Sequence, residues 1–312
     1  MSAARTLKAF FSYALAAALI VWVARGVSLA QLLENLGQAR LWVFFPVTAG
    51  VFLCWFLGET LLYSRLFSLF QKPISWPEML PLTTTFYFVQ TVNGALAGGI
   101  FTLLMQRRKG VPWLDSGFTM LFLGLLDFQV MALLVLAAAV FGRHSPLAFT
   151  WRYAACALAL CALAEAFWLA GPPRWAPARR LYDWHAMSAF RKARLSDYLQ
   201  LAAIRTPIFL AQGLALYLDM RAFGIGVAPT YVFALTPAIL LLTALPLTPI
   251  GIGTEQAAVA LGFGSYAPRA TLLAMSLAMS GMGLVLRFCL APFAVREAIP
   301  LLPGDAGSKD YQ

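Results

Sequence analysis

Two Gly- or Pro-rich breaks inside long apolar runs constrain this chain more than any other feature. The first is Thr91-Val-Asn-Gly-Ala-Leu-Ala-Gly-Gly99 and the second is Leu245-Pro-Leu-Thr-Pro-Ile-Gly-Ile-Gly-Thr-Glu255. In lipid, backbone that leaves the helix loses partners for its N–H and C=O groups. Such breaks persist only where protein or a water-filled cavity surrounds them. Breaks at corresponding places in two halves of a chain point to a substrate site near the bilayer midplane.

The runs that carry the breaks belong to a lipid-soluble chain. Of 312 residues, 61% are hydrophobic and 12% are charged, against about a quarter charged in soluble domains. The expected fold class is therefore an all-α polytopic membrane protein. No polar stretch is long enough for a soluble domain. The net charge of +10 reads as basic loops on one side of a membrane and not as a nucleic-acid surface, because no basic face with stacking aromatics accompanies it. Cys54, Cys156, Cys161 and Cys289 sit in apolar segments without metal-ligand spacing, and His144 and His185 lie in polar connections. No metal and no cofactor is expected.

A spanning helix needs about 20 apolar residues. Leu7–Ala24, Leu41–Tyr63, Gly117–Phe141, Arg152–Ala170, Tyr198–Leu218 and Ala270–Val295 meet that need, and the first reads as a signal anchor. Segments 79–105 and 228–263 carry the breaks. If 79–105 crossed fully, Arg107-Arg108-Lys109 and the basic stretch 171–196 would fall outside, against the bias of Lys and Arg toward the cytoplasm. Re-entrant hairpins restore that bias. The resulting fold has about six full spans plus two oppositely oriented re-entrant helical hairpins, resembling an inverted repeat. It forms one transmembrane domain over 1–300, with a cytoplasmic basic loop at 171–196 and a polar tail at 301–312. Both termini are expected in the cytoplasm.

Ionisable groups inside a bilayer are costly, which marks them as candidates. Glu255 opens a half-helix after Gly251 and Gly253, whose N–H groups suit an anion. The Glu255 carboxylate either caps that helix or takes a proton or a cation. Arg287 and Arg205 lie inside spans, where each either binds a lipid phosphate or snorkels to the interface. Asp127 sits mid-span and pairs inside the bundle or serves the site. Asn93, at the first break, caps a half-helix or touches substrate. Glu59 and Glu165, near helix ends, read as interfacial. No Gly-x-Ser-x-Gly, His-Glu-x-x-His or phosphate-loop motif is present, so no catalytic residue is assigned.

Asn93, Gly98, Gly99, Leu103-Leu104 and Arg107-Arg108-Lys109-Gly110, together with Pro246, Pro249, Gly251, Gly253 and Glu255, resemble the two motifs of the lysylphosphatidylglycerol synthase transmembrane family, also called flippase-like membrane proteins. Gly99 and Thr102 stand where relatives carry acidic and arginine residues, so the first hairpin lacks their charged partner. Leu96-Ala97 replaces their Pro-Gly. The aminoacyltransferase domain of some relatives is absent, and lipid lysylation is not carried over. The resemblance implies a lipid-binding or lipid-translocating protein of a bacterial cytoplasmic (inner) membrane.

Together these features favour a flippase or transporter for a phospholipid or polyprenyl-phosphate-type amphiphile, with the headgroup held where the hairpin tips meet. Its partners are then membrane lipids with an anionic headgroup and no nucleic acid. Two other readings stand beside it. One is an integral membrane enzyme acting on a lipid headgroup. The other is a non-catalytic partner that recruits a cytoplasmic enzyme through Arg174–Arg194.

Overall fold

The computed structural model describes residues 14, 17–92, 94–141, 150–172, 176–184, 187–244 and 253–293. Asn93 and Gly251 lie outside the described residues, as do segment 245–252 and the tail 301–312. Among the described residues every regular element is a helix.

Helix α1 (Ala17–Ala24) meets α2 (Leu29–Gln38) at 79°. The start of α2 is fixed by a reciprocal cap: Gln31 N–H donates to Ser28 Oγ at 3.2 Å, and Ser28 N–H donates to Gln31 Oε1 at 2.9 Å, so two otherwise orphan donors are satisfied. Helix α3 (Leu41–Phe70) outruns the expected span, because no Pro or Gly appears between Tyr63 and Lys72-Pro73.

Helices α4 (Trp76–Val92) and α5 (Gly94–Lys109) follow. They are not one kinked rod. Lys109 Nζ reaches Glu78 Oε1 at 2.7 Å, which joins the end of α5 to the first turn of α4. Lys72 Nζ also donates to the carbonyls of Lys109 and Gly110, both at 3.1 Å, supplying a cation to the C-terminal end of α5. The two helices therefore form a hairpin whose open end lies beside the C-terminus of α3.

Helices α6 (Trp113–Phe141) and α7 (Thr150–Leu169) lead to two short helices, α8 (Ala176–Asp183) and α9 (Ser188–Lys192). The basic stretch is packed here: Ala189 and Phe190 are buried, and Lys192 Nζ donates to the Phe70 carbonyl at 2.8 Å, closing the C-terminus of α3. Helix α10 (Leu195–Ala222) runs antiparallel to α3, with Arg205 beside Glu59 and Asp219 beside Thr48.

Helices α11 (Pro229–Ala244) and α12 (Thr254–Phe263) form the second hairpin. Tyr231 OH donates to the Gly262 carbonyl at 2.8 Å, so its open end lies at the opposite end of the bundle from that of α4–α5. Helix α13 (Arg269–Cys289) then runs inward from that end. At 1.5 Å per residue, α4 and α11 are each about 25 Å long and α3 is about 45 Å. The inner end of each hairpin therefore falls near the middle of the bundle.

Four described helices are long and apolar enough to cross a membrane, or five if the bent α1–α2 pair is one span. The chain is a polytopic all-α membrane protein. Its apolar side chains form two main clusters. One gathers α4–α5 with α6, α9 and the adjoining halves of α3 and α10, around Phe67, Phe101, Met105 and Phe122. The other gathers α11–α12 with α13, the end of α10 and Phe44. Lipid tails are as apolar as leucine, so close fit and polar pairing hold such helices together. Gly58 supplies part of that fit, since a Cβ there would stand 2.6 Å from Ile208 Cδ1.

Candidate functional site

The polar interior lies between the two clusters. Thr48, Phe52 and Trp55 share one face of α3, and Gln212, Ala215 and Asp219 share one face of α10, because residues three and four apart on a helix are neighbours. Ser280, Gly283, Leu284 and Arg287 do the same on α13. Together with Tyr87 of α4, Leu240 of α11 and Glu255 of α12, these faces enclose a cavity of about 240 Å³. Both hairpins thus contribute to its wall.

Gly253 precedes α12 with φ at 90°, a conformation that side-chain-bearing residues rarely adopt. Its N–H donates to Gln256 Oε1 at 2.6 Å. Gln256 therefore satisfies the helix start, and the Glu255 side chain turns elsewhere. Glu255 Oε2 accepts from Ser280 Oγ at 3.0 Å, while Ser280 Oγ accepts from Gln256 Nε2, also at 3.0 Å. That directional chain fixes the carboxylate against the cavity.

Arg287 faces the same space. Its guanidinium lies 5.6 Å from the Tyr87 ring centroid, and its Nη1 is buried without a hydrogen-bond partner. No carboxylate among the described residues lies within ion-pair distance of it. Asp219, which the sequence did not single out, is 1% exposed and accepts from Thr48 Oγ at 3.3 Å. The cavity therefore carries a guanidinium beside Tyr87 and two carboxylates, on α10 and α12, that are not paired with it. Tyr87, Gln212 and Asp219 had no sequence signal beyond being polar within or near apolar helices.

Arg205 and Asp127 are placed together, but away from the cavity lining. Arg205 Nη1 bonds Glu59 Oε1 at 3.0 Å and its Nη2 bonds Asp127 Oδ2 at 2.7 Å. The Trp55 and Phe209 rings, themselves 5.8 Å apart, both lie against the guanidinium, at 5.1 and 4.6 Å, a favourable arrangement for a desolvated cation. Glu59 is not interfacial, because α3 continues to Phe70 and carries it into the bundle. It also accepts from Tyr63 OH at 3.2 Å and Tyr87 OH at 2.7 Å. Glu165 accepts a hydrogen bond from Gln129. Trp55 and Tyr87 thus stand between the ion cluster and the cavity, touching both.

The lysylphosphatidylglycerol synthase TM region is the family model that matches this chain, over residues 9–308. The chain belongs to that family. The match spans both hairpins and every helix that lines the cavity. Membership in the lysylphosphatidylglycerol synthase TM family makes this a membrane protein related to lipid modification or transport. No curated protein matches the chain.

Proposed function

We propose that this protein is a flippase or transporter for a phospholipid or polyprenyl-phosphate-type amphiphile, acting in a bacterial inner membrane. The two hairpins are re-entrant from opposite faces, and the headgroup occupies the cavity that residues of both help to line. Arg287 carries this reading. A half-buried guanidinium whose buried Nη1 has no partner is an expensive thing to keep in an apolar bundle, and a phosphodiester offers it paired acceptors in a matching plane. Phe52, Trp55 and Leu284 supply the apolar wall along which acyl or prenyl chains pass.

The test is leaflet exchange of labelled phosphatidylglycerol in liposomes containing the purified chain. Arg287→Ala slows exchange by about tenfold or more, the factor that follows from losing a charge-assisted hydrogen bond of roughly 1.5–3 kcal/mol. Arg287→Lys keeps the charge but not the fork and falls between. Equal exchange by wild type and Arg287→Ala refutes the site, and exchange no faster than in empty liposomes refutes the transport reading.

A further inference from the structure

A second chamber of about 170 Å³ adjoins the first. The two share Gln212, Leu240, Glu255 and Met279, and the second reaches into the fork of the α11–α12 hairpin, where Thr236, Thr243 and Val259 line it. Apart from Gln212, whose amide both donates and accepts, its polar groups are biased in one direction. Thr236 Oγ donates its proton to the Val232 carbonyl at 2.8 Å, and Thr243 Oγ donates to the Leu240 carbonyl at 3.0 Å. Each hydroxyl has one proton to give and two lone pairs to receive with, so both threonines present acceptors only. Glu255, an acceptor on every lone pair while ionised, has one oxygen engaged by Ser280. The first chamber has the opposite character at Arg287, whose guanidinium only donates.

We propose that the second chamber is a subsite for the hydrogen-bond-donating end of a lipid headgroup whose phosphate sits at Arg287. This rests on the headgroup reading above and extends it to specificity. The donor is either the hydroxyls of a polyol or the N–H groups of a primary ammonium; both complete the same acceptors. A headgroup ending in a quaternary ammonium has no such donor and leaves the Thr236, Thr243 and Glu255 acceptors unmatched. Polar sites reject a ligand that lacks the complementary group more strongly than apolar sites reject a change of size.

The experiment is calorimetric titration of the full-length purified chain with short-chain phosphatidylglycerol, phosphatidylethanolamine and phosphatidylcholine of identical acyl length. Phosphatidylglycerol and phosphatidylethanolamine are expected to bind more tightly than phosphatidylcholine. Which of the two leads separates a hydroxyl source from an ammonium source. In the T236V/T243V variant, valine keeps the shape and removes the acceptors. Its preference over phosphatidylcholine should shrink by about three- to tenfold, the worth of one or two hydrogen bonds. If the double variant does not elute as folded protein, Thr243→Val alone, at a half-buried position, carries the measurement. Equal binding of all three lipids overturns the subsite while leaving the headgroup site standing. So does a preference for phosphatidylethanolamine and phosphatidylcholine together over phosphatidylglycerol, because charge would then be the feature recognised. An unchanged preference in the variant also overturns it. Failure to bind any of the three removes the headgroup reading and the subsite with it.

Discussion

At the scale of single residues, the buried charges divide into those already compensated and those awaiting a partner. Arg205 belongs to the first kind, held by Glu59 and Asp127 and packed against the rings of Trp55 and Phe209. Removing it leaves two carboxylates without their cation. Arg205→Met is expected to cost about 3–5 kcal/mol of stability, read as a fall in the thermal unfolding midpoint of detergent-purified protein. Adding Glu59→Gln and Asp127→Asn to that variant should recover most of the loss, because the uncompensated charges go with it. A triple variant no better than Arg205→Met alone would show that the guanidinium matters through packing and not through charge. That Arg205, Asp127 and Arg287 are unusual is written in the sequence, since charge inside a span is rare. Their pairing is not. Arg205 meets residues 146 and 78 positions away, and counting along a helix gives depth but not the direction a side chain faces. Asp219 was overlooked for a related reason: the span drawn over 198–218 stops one residue before it, where an acid reads as a solvated helix end.

Among the elements, the hairpins were the most legible, because each is announced by a Gly- or Pro-rich interruption of its apolar run. Their closure was not, since it depends on side chains reaching across from separate helices. The α4–α5 hairpin is joined at its open end by Glu78, which also accepts from Ser75 N–H and Oγ at 2.8 and 2.7 Å. Bonds from Lys109 and Ser75 pull the Glu78 carboxyl down from the ordinary 4.5 to about 2. A group depressed on folding stabilises the fold above its unfolded value, and the contribution disappears as pH falls through the folded one. The melting difference between wild type and Glu78→Gln should accordingly be constant from neutral pH down to about 5 and vanish as pH approaches about 2. The difference is expected to be small, because the pair is exposed and screened by salt. A difference that grew on acidification would contradict this closure. In the second hairpin the sequence placed an acid at a helix start and left its role open between cap and ligand. The structure separates these roles between neighbours, with Gln256 capping through the Gly253 N–H and Glu255 held against the cavity by Ser280.

For the molecule as a whole, the arrangement of hairpins fixes which loops share a face. The open end of α4–α5, the C-terminus of α3 and helices α8 and α9 lie together, tied by Lys72, Lys109 and Lys192. Arg107, Arg108, Arg180, Arg191 and Arg194 sit on the same connections. The opposite end carries Arg25, Arg40, Arg221 and Arg269, with the Arg40 N–H bonded to the Ala222 carbonyl at 2.8 Å and Arg269 over the Trp22 ring. Lys and Arg are thus concentrated at the end where the first hairpin opens, and the bias of short basic loops toward the cytoplasm predicts that this end faces inward. The second hairpin is then expected to open outward. Its cavity residues place Asp219 near the outer end of α10 and Arg287 about 27 Å along α13, counting 1.5 Å per residue. Single cysteines at Glu78 and Tyr266, in a chain with Cys54, Cys156, Cys161 and Cys289 replaced by Ala, test this orientation directly. In intact cells a membrane-impermeant maleimide should label Tyr266→Cys and leave Glu78→Cys untouched until the membrane is opened. The reverse pattern would invert the protein in the membrane. Labelling of both from outside would mean that the two hairpins open on one face, and the opposed re-entrant pair that places a headgroup between them would be lost.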